Sequence, residues 1–533
     1  MRQRKIMSMI GGLTLAAGLL LAAPAAQADG TPTPPPEFTT DWHDPVTAAP
    51  PVAVPDTRSC QVTLVETEFR DFTPYKGSYA PPKECGNRWN KVVLRLDGTV
   101  KGRQYDRLGH LTVGGVEIFR TSTPEPSPDG IAWSVEKDVT RYRDTLSRPQ
   151  NIEMLIGNVV NDTYTGVLDV KVTLTFYAAR GAVEPAAGTP DRVLPLTGAT
   201  LTTPRNTERI LAEVYATGSG GGCEEFWYLT VPDAAPYSCK ATDGPYREVQ
   251  ISVDGRLAGI AAPFPHVWTG GWSNPFLWYV TPAPRAFDVQ PIVYDLTPFA
   301  SLLNDGRAHR VEVSVAGVPA GQTGWSVPTN VLLWQDESSA VVTGALDRHE
   351  VGDLRNSATY TAGSPDRLET TGGHTLTVAG HLNTSHGRVS TTVTRTVGHR
   401  SAHTWGADEN PDALDASWSD DETVTAGRTT TRTHRAYTMD GEITVGTDNR
   451  LRTVLTIGDR ASSDVIRNGK RLFWSRLDDT YTGDASFTLG VPREQRRAVG
   501  TSTERYRLYS SDGCYDHSLK TVQGTLVEDL HRC

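Results

Sequence analysis

Leu111-Thr-Val-Gly-Gly-Val116 and Ile251-Ser-Val-Asp-Gly-Arg256 are one short phrase written twice in the same chain. Each alternates apolar and polar residues up to a two-residue turn, Gly114-Gly115 in the first and Asp254-Gly255 in the second. That pattern predicts a β-hairpin, because the tight turns that suit strand twist need positive φ at their central positions. The echo continues downstream, where Asp138-Val-Thr-Arg-Tyr runs on to Leu146 and Asp295-Leu-Thr-Pro-Phe runs on to Leu303. In both, Thr can cap a single helical turn, and Pro298 takes the first helical position, where its missing N–H is no loss. A strand pattern follows each turn. Two copies of one strand order predict two tandem jelly-roll β-sandwiches.

The residues around the echo agree. Leu168, Val170, Val172, Leu174 and Phe176 alternate with Asp169, Lys171, Thr173 and Thr175, the period of a half-buried strand. Val249, Ile251 and Val253 repeat the pattern, as do Val311, Val313 and Val315. Long amphipathic helices are not evident, and 49 glycines with 35 prolines favour many turns. Beyond about residue 345 the texture shifts to Thr, Arg, His and Asp, as in Thr391-Thr-Val-Thr-Arg-Thr396. A third all-β region with long exposed strands is expected there, with no concentration of chemistry. The expected division is a leader at 1–28, a Pro/Ala-rich and poorly ordered linker at 29–55, sandwiches at 56–190 and 191–345, and the third region at 346–533.

The 533 residues carry a formal charge of −10, which excludes a basic nucleic-acid footprint. Arg2, Arg4 and Lys5 precede an apolar stretch from Ile6 to Ala23, and Ala26-Gln27-Ala28 forms a small-residue cleavage pattern. A secreted protein follows, with no membrane association after the leader is removed. The six cysteines fall in sequence-neighbouring pairs, Cys60 with Cys85, Cys223 with Cys239 and Cys514 with Cys533. An oxidising compartment makes disulfides the expectation, although six cysteines permit many connectivities.

Common catalytic motifs are missing. Gly271-Trp-Ser-Asn-Pro275 lacks the last glycine of a nucleophile elbow, and His349-Glu350 has Asp353 where a zinc motif needs histidine. No cysteine stands at metal-ligand spacing, and the 13 histidines are scattered, as solvated surface residues would be. What remains is carboxylates beside aromatics. Gln104-Tyr-Asp-Arg107 precedes the first hairpin, and Cys223-Glu-Glu-Phe-Trp-Tyr228 lies upstream of the second. Strand alternation would let only one of Glu224 and Glu225 share a site wall. Trp268, Trp272 and Trp278 then cluster in a loop-like stretch. Aromatic faces stack on sugar rings and carboxylates transfer protons, so a carbohydrate-linked substrate is indicated.

These segments resemble a known family. Gln104-Tyr-Asp-Arg107, Glu117-Ile-Phe-Arg-Thr-Ser-Thr-Pro-Glu-Pro126, Gly130-Ile-Ala-Trp133 and Lys137-Asp-Val-Thr140 look like the peptide N-glycosidase A type of amidase. Asn158 through Gly166, Asn206-Thr-Glu-Arg-Ile, Cys223 through Tyr228 and Trp268 through Asn274 extend the likeness to roughly residues 58–335. The F-type peptide N-glycosidases are more distantly similar, and they imply two jelly rolls with the active site between them. The resemblance implies hydrolysis of the amide joining N-acetylglucosamine to asparagine in glycopeptides and glycoproteins, without cofactor or metal.

By the same likeness Asp106 is the principal catalytic aspartate, expected to act as general base or nucleophile, with Glu225 its partner, donating a proton or positioning the water that does. A third acidic residue falls near Gly157 and Asn158, where none stands. Arg107 or Arg120 would stabilise the carbonyl oxygen, or Arg120 would hold Asp106 or Glu117 in place. Tyr105, Glu117, Trp227, Trp268, Trp272 and Trp278 are the expected substrate contacts. A glycoside hydrolase using paired carboxylates and a non-catalytic carbohydrate-binding protein are the alternatives.

Overall fold

The computed structural model describes residues 32–86, 88–179, 188–219 and 222–533, so the expected leader lies outside the described residues, as does the Cys85 side chain. Among the described residues no helix is long and apolar enough to cross a membrane.

Eight strands build the first sandwich: β1 (Ser59–Phe69), β2 (Tyr75–Tyr79), β3 (Trp89–Val100), β4 (Leu108–Val113), β5 (Val116–Ser122), β6 (Ile131–Asp138), β7 (Gln150–Ile156) and β8 (Leu168–Ala178). They form two four-stranded sheets, in the orders β1-β8-β3-β6 and β2-β7-β4-β5, which is the winding of a jelly roll. The β8 alternation does what its period demands: Leu168, Val170, Val172, Leu174 and Phe176 are all buried.

The second sandwich uses β9 (Arg192–Pro195), β10 (Thr200–Leu201), β11 (Thr207–Val214), β12 (Thr217–Gly218), β13 (Glu248–Val253), β14 (Arg256–Ala261), β15 (Ile292–Asp295), β16 (His309–Ala316), β17 (Trp325–Ser326) and β18 (Thr329–Gln335). Its sheets run β15-β11-β18-β9 and β10-β16-β13-β14, the same winding, with β12 and β17 added as a separate ribbon. The two echoed phrases are the hairpins β4–β5 and β13–β14.

The remaining strands make one 11-stranded antiparallel meander from Thr343–Val351 to Thr525–His531, with members as long as Asp366–Thr384 and Lys470–Thr488. It is not the exposed array expected from its Thr/Arg-rich sequence. Period-two alternation hides an apolar face that buries Val378, Val397, Trp418, Tyr437, Met439, Ile457 and Tyr481 against the second sandwich. Five histidines expected at the surface are buried as well: His266, His374, His399, His403 and His517. Three of them have charged partners, His403 with Asp412, His374 with Glu248 and His517 with Asp529, whereas neither ring nitrogen of His399 has a hydrogen-bond partner among the described residues.

The segment expected to be a loose linker is extended but docked. The backbone N–H groups of Phe38, His43 and Val46 donate to the carbonyls of Ala498, Gly524 and Val280. Trp42 stacks flat on Tyr279, with centroids 4.0 Å apart, and Ala48 is buried with its N–H on Glu504 at 3.0 Å. Proline richness prevents regular structure here without preventing packing, since an extended strap can satisfy its backbone on a neighbouring sheet.

Candidate active site

In a jelly roll the connections after the first, third, fifth and seventh strands emerge at one end. In the first sandwich the β3–β4 connection carries Asp106 and the β5–β6 connection carries Glu125. In the second sandwich the matching connections are β11–β13 and β14–β15, which carry Glu225 and Gly270. These four residues meet.

The Asp106 carboxylate accepts the Gly270 backbone N–H and lies within electrostatic reach of Glu225. A Cβ on Gly270 would stand 2.7 Å from Asp106 Oδ1 and 3.0 Å from Glu125 Oε1, so only glycine can approach both acids. Burial pushes the Asp106 carboxyl up to about 6; the Glu225 charge adds to the rise, while the Gly270 N–H and the Arg107 guanidinium oppose it. Glu125 is buried, and burial followed by the charge of Asp106 holds it well above the ordinary carboxyl range, against Arg493, Arg103 and Arg107.

Glu224 and Glu225 diverge, but not by strand alternation. Cys223–Leu229 is a 3₁₀-helical turn interrupted at Phe226, and Cys223 is bonded to Cys239. Glu224 turns inward to take both prongs of Arg247, at 2.6 and 2.9 Å, with the Trp325 indole N–H at 2.6 Å. Its capacity is spent on that buried fork, which leaves Glu225 on the Asp106 side. Cys514 and Cys533 are also joined, and Cys60 is disulfide-bonded.

The two arginines part company. Arg107 donates to Gln104 through Nη2, while its buried Nε has no hydrogen-bond acceptor. Arg120 is buried in a fork with Glu117, at 2.6 and 3.2 Å, and also donates to Thr217 and Ser326 of the second sandwich. Of the two roles expected for Arg120, this geometry fits the one that holds Glu117 in place rather than the charge-stabilising one, and the expected substrate-contact role of Glu117 is corrected because the fork occupies its carboxylate. Their polar atoms are consumed in bolting the sandwiches together.

The tryptophans are corrected too. Trp227 packs among Tyr228, Trp325 and Trp418, and Trp268 lies parallel to His266 at 4.9 Å. Trp272, at φ 53°, presses its ring to within 2.9 Å of where a Cβ on Gly441 would sit, and Trp278 stacks on Tyr481 at 4.7 Å. All four are buried, so none offers an open ring face to a sugar.

The exposed aromatics lie elsewhere on the same end of the first sandwich. Tyr105 is 49% exposed and its ring is 5.2 Å from that of Tyr164, over which Arg103 sits at 5.5 Å. Phe72 is 66% exposed beside Gly157, in the neighbouring connection.

Two site residues escaped the sequence reading. Glu125 stands in Pro124-Glu-Pro126, a stiff loop that was legible as a motif but silent about its proximity to Asp106. The position near Gly157 and Asn158 is indeed without a carboxylate; Asn158 instead donates to Phe69 and Gly166 carbonyls. Arg493 arrives from the meander sheet, contrary to the expectation that this region concentrates no chemistry. Its guanidinium lies 5.1 Å from the Trp42 ring centroid, its buried Nη2 has no acceptor, and its charge acts on Glu125.

Fold and site together define a double β-sandwich protein with an acid–base cluster where the two sandwiches meet. Residues 48–351 match the model of the family described as Peptide N-acetyl-beta-D-glucosaminyl asparaginase amidase A, and the chain belongs to that family. A curated relative, peptide-N4-(N-acetyl-beta-glucosaminyl)asparagine amidase A from Prunus dulcis, is 32% identical over 338 residues, covering 56% of this chain and 58% of the relative. The chain thus spans under two thirds of that relative's length. The solved structure described as "Structure of PNGF-II in C2 space group" is similar at 14% identity and a TM-score of 0.35, covering 52% of this chain and 65% of the other.

Proposed function

We propose that the protein hydrolyses the amide between N-acetylglucosamine and asparagine in N-linked glycopeptides or glycoproteins. The observation that carries the reading is the meeting of Asp106, Glu225 and Glu125 over a glycine, in a chain of the amidase A family. An amide is a weak electrophile with a poor leaving group, so hydrolysis needs an activated water and a proton for the departing nitrogen. Asp106, ionised above about pH 6, takes a proton from water as the oxygen attacks the side-chain carbonyl carbon. The C–N bond then breaks, and the nitrogen leaves with a proton as a glycosylamine, while the peptide keeps an aspartate. Glu125 is the natural donor of that proton, because burial and then the charge of Asp106 hold its carboxyl well above the ordinary range. Glu225 raises the basicity of Asp106 and positions the water, and Arg107 opposes charge developing on the carbonyl oxygen. Tyr105, Tyr164 and Phe72 form the stacking rim for the glycan.

Secretion and the domain division expected from the sequence form part of the same proposal; the disulfides Cys223–Cys239 and Cys514–Cys533 support an oxidising destination.

The test is the mass of a glycopeptide product. Conversion of asparagine to aspartate supports the amidase, whereas a sugar stub left on asparagine would assign the chain to glycosidases. Asp106→Asn should cut kcat by at least about 10²-fold with the fold intact. Near-normal turnover in that variant would overturn the role of Asp106.

A further inference from the structure

The last two strands of the meander bring three metal-ligating side chains to one spot, far along the chain from the acid cluster. His517 pairs directly across the ladder with His531, and Asp529 lies two residues from His531, on the same face. The imidazole rings lie nearly parallel, with centroids 3.8 Å apart. His517 Nε2 is 2.8 Å and His531 Nε2 3.8 Å from the same atom, Asp529 Oδ1. One ligand atom from each residue falls within 4.8 Å of the other two. Ligands held about 2.0–2.2 Å from a tetrahedral zinc stand roughly 3–3.5 Å from one another, so these separations need little adjustment.

We propose that His517, Asp529 and His531 form a site for a first-row divalent ion of the Zn²⁺ type, with its open positions toward solvent. Three features set it apart from a chance surface grouping. First, the far side of His517 is fixed. Its Nδ1 faces the Ala48 carbonyl at 3.2 Å, and a carbonyl only accepts, so Nδ1 carries the hydrogen and Nε2 is left to bind the ion. The Tyr515 hydroxyl, 3.1 Å from the same Nδ1, braces the ring in that orientation. Second, the Cys514–Cys533 disulfide closes the hairpin just outside both histidines, so the ligands are ordered before the ion arrives. Third, two imidazoles with one carboxylate select borderline ions such as zinc over calcium or magnesium, which take oxygen shells.

The ion would hold the C-terminal hairpin through its ligands and the strap through Ala48, a stabilising role distinct from the amide chemistry.

The full chain, stripped with a chelator and dialysed, should be titrated with Zn²⁺ alone by calorimetry and remelted with and without the ion. One equivalent should bind in the micromolar range or tighter, with a rise in Tm. His531→Ala and Asp529→Asn, both at exposed positions that tolerate substitution, should each weaken that binding by more than about tenfold. His434→Ala, at an exposed histidine paired with Asp421 on the same sheet, should leave it unchanged. Absence of the one-equivalent site in the parent chain, or its survival undiminished in His531→Ala, would overturn the proposal.

Discussion

Asp106 lives on a balance between desolvation and local dipoles. Burial and the Glu225 charge lift its carboxyl to about 6, and the Gly270 N–H keeps it from rising further. Two outcomes follow with definite signs. In the proposed mechanism, with ionised Asp106 as base and protonated Glu125 as acid, kcat/KM should fall about tenfold per pH unit below an apparent pKa near 6 and fall again at the higher pH where Glu125 loses its proton. The folded chain holds this proton more tightly than the unfolded chain does. The associated stability is therefore fully present below the ordinary value of 3.8 and is lost as pH rises through about 6. Asp106→Asn should accordingly raise Tm by on the order of 2 °C at pH 8 and by nothing at pH 4, read by calorimetry. A profile without an acid limb would remove Asp106 from the role of base.

Among the elements, the strap has the largest consequence for its size. It adds no strand to any sheet, yet Trp42 lies between Tyr279 of the second sandwich and Arg493 of the meander. Removing that ring exposes Tyr279 and frees the guanidinium that faces Glu125. Trp42→Ala should cost about 3 kcal/mol of stability and lower kcat/KM as well, while Trp42→Phe, which keeps a stacking face, should recover most of both. Denaturant melts with parallel assays decide it; unchanged stability and activity in Trp42→Ala would show the strap to be dispensable. The meander in turn fits the second sandwich through absent side chains. Gly441 leaves room for the Trp272 ring, which any Cβ would displace.

At the scale of the whole molecule, the second sandwich and the meander share one hydrophobic core. Trp278 rests on Tyr481, Phe264 on Tyr437 and Phe276 on Phe487. A chain ending at residue 342 should therefore be insoluble or aggregated on gel filtration, whereas the full chain should lose structure and activity in one coincident transition. A soluble, active truncation would contradict the shared core.

The same architecture explains what could be read in advance. The hairpins β4–β5 and β13–β14 were legible because their information is local: a turn dipeptide and alternating neighbours. Asp106 and Glu225 were legible through their motif company, although Glu225 owes its direction to a disulfide-bound 3₁₀ turn and the fork that retains Glu224. Glu125, Arg493 and the burial of Trp272 and Trp278 were not legible. Each depends on which distant surface covers it, and period-two patterns do not encode the partner of a face.

The Ala48 N–H reaches Glu504 across 456 positions of chain. Such a contact can close only after residue 504 has been made, and loop-closing contacts of this span form late. The first sandwich can gather Asp106 and Glu125 early in synthesis. Glu225 joins with the second sandwich, and Arg493 with the strap only when the meander is complete. Under the proposed function, competence therefore waits on residues from both sandwiches and from the meander, and neither sandwich would be active by itself.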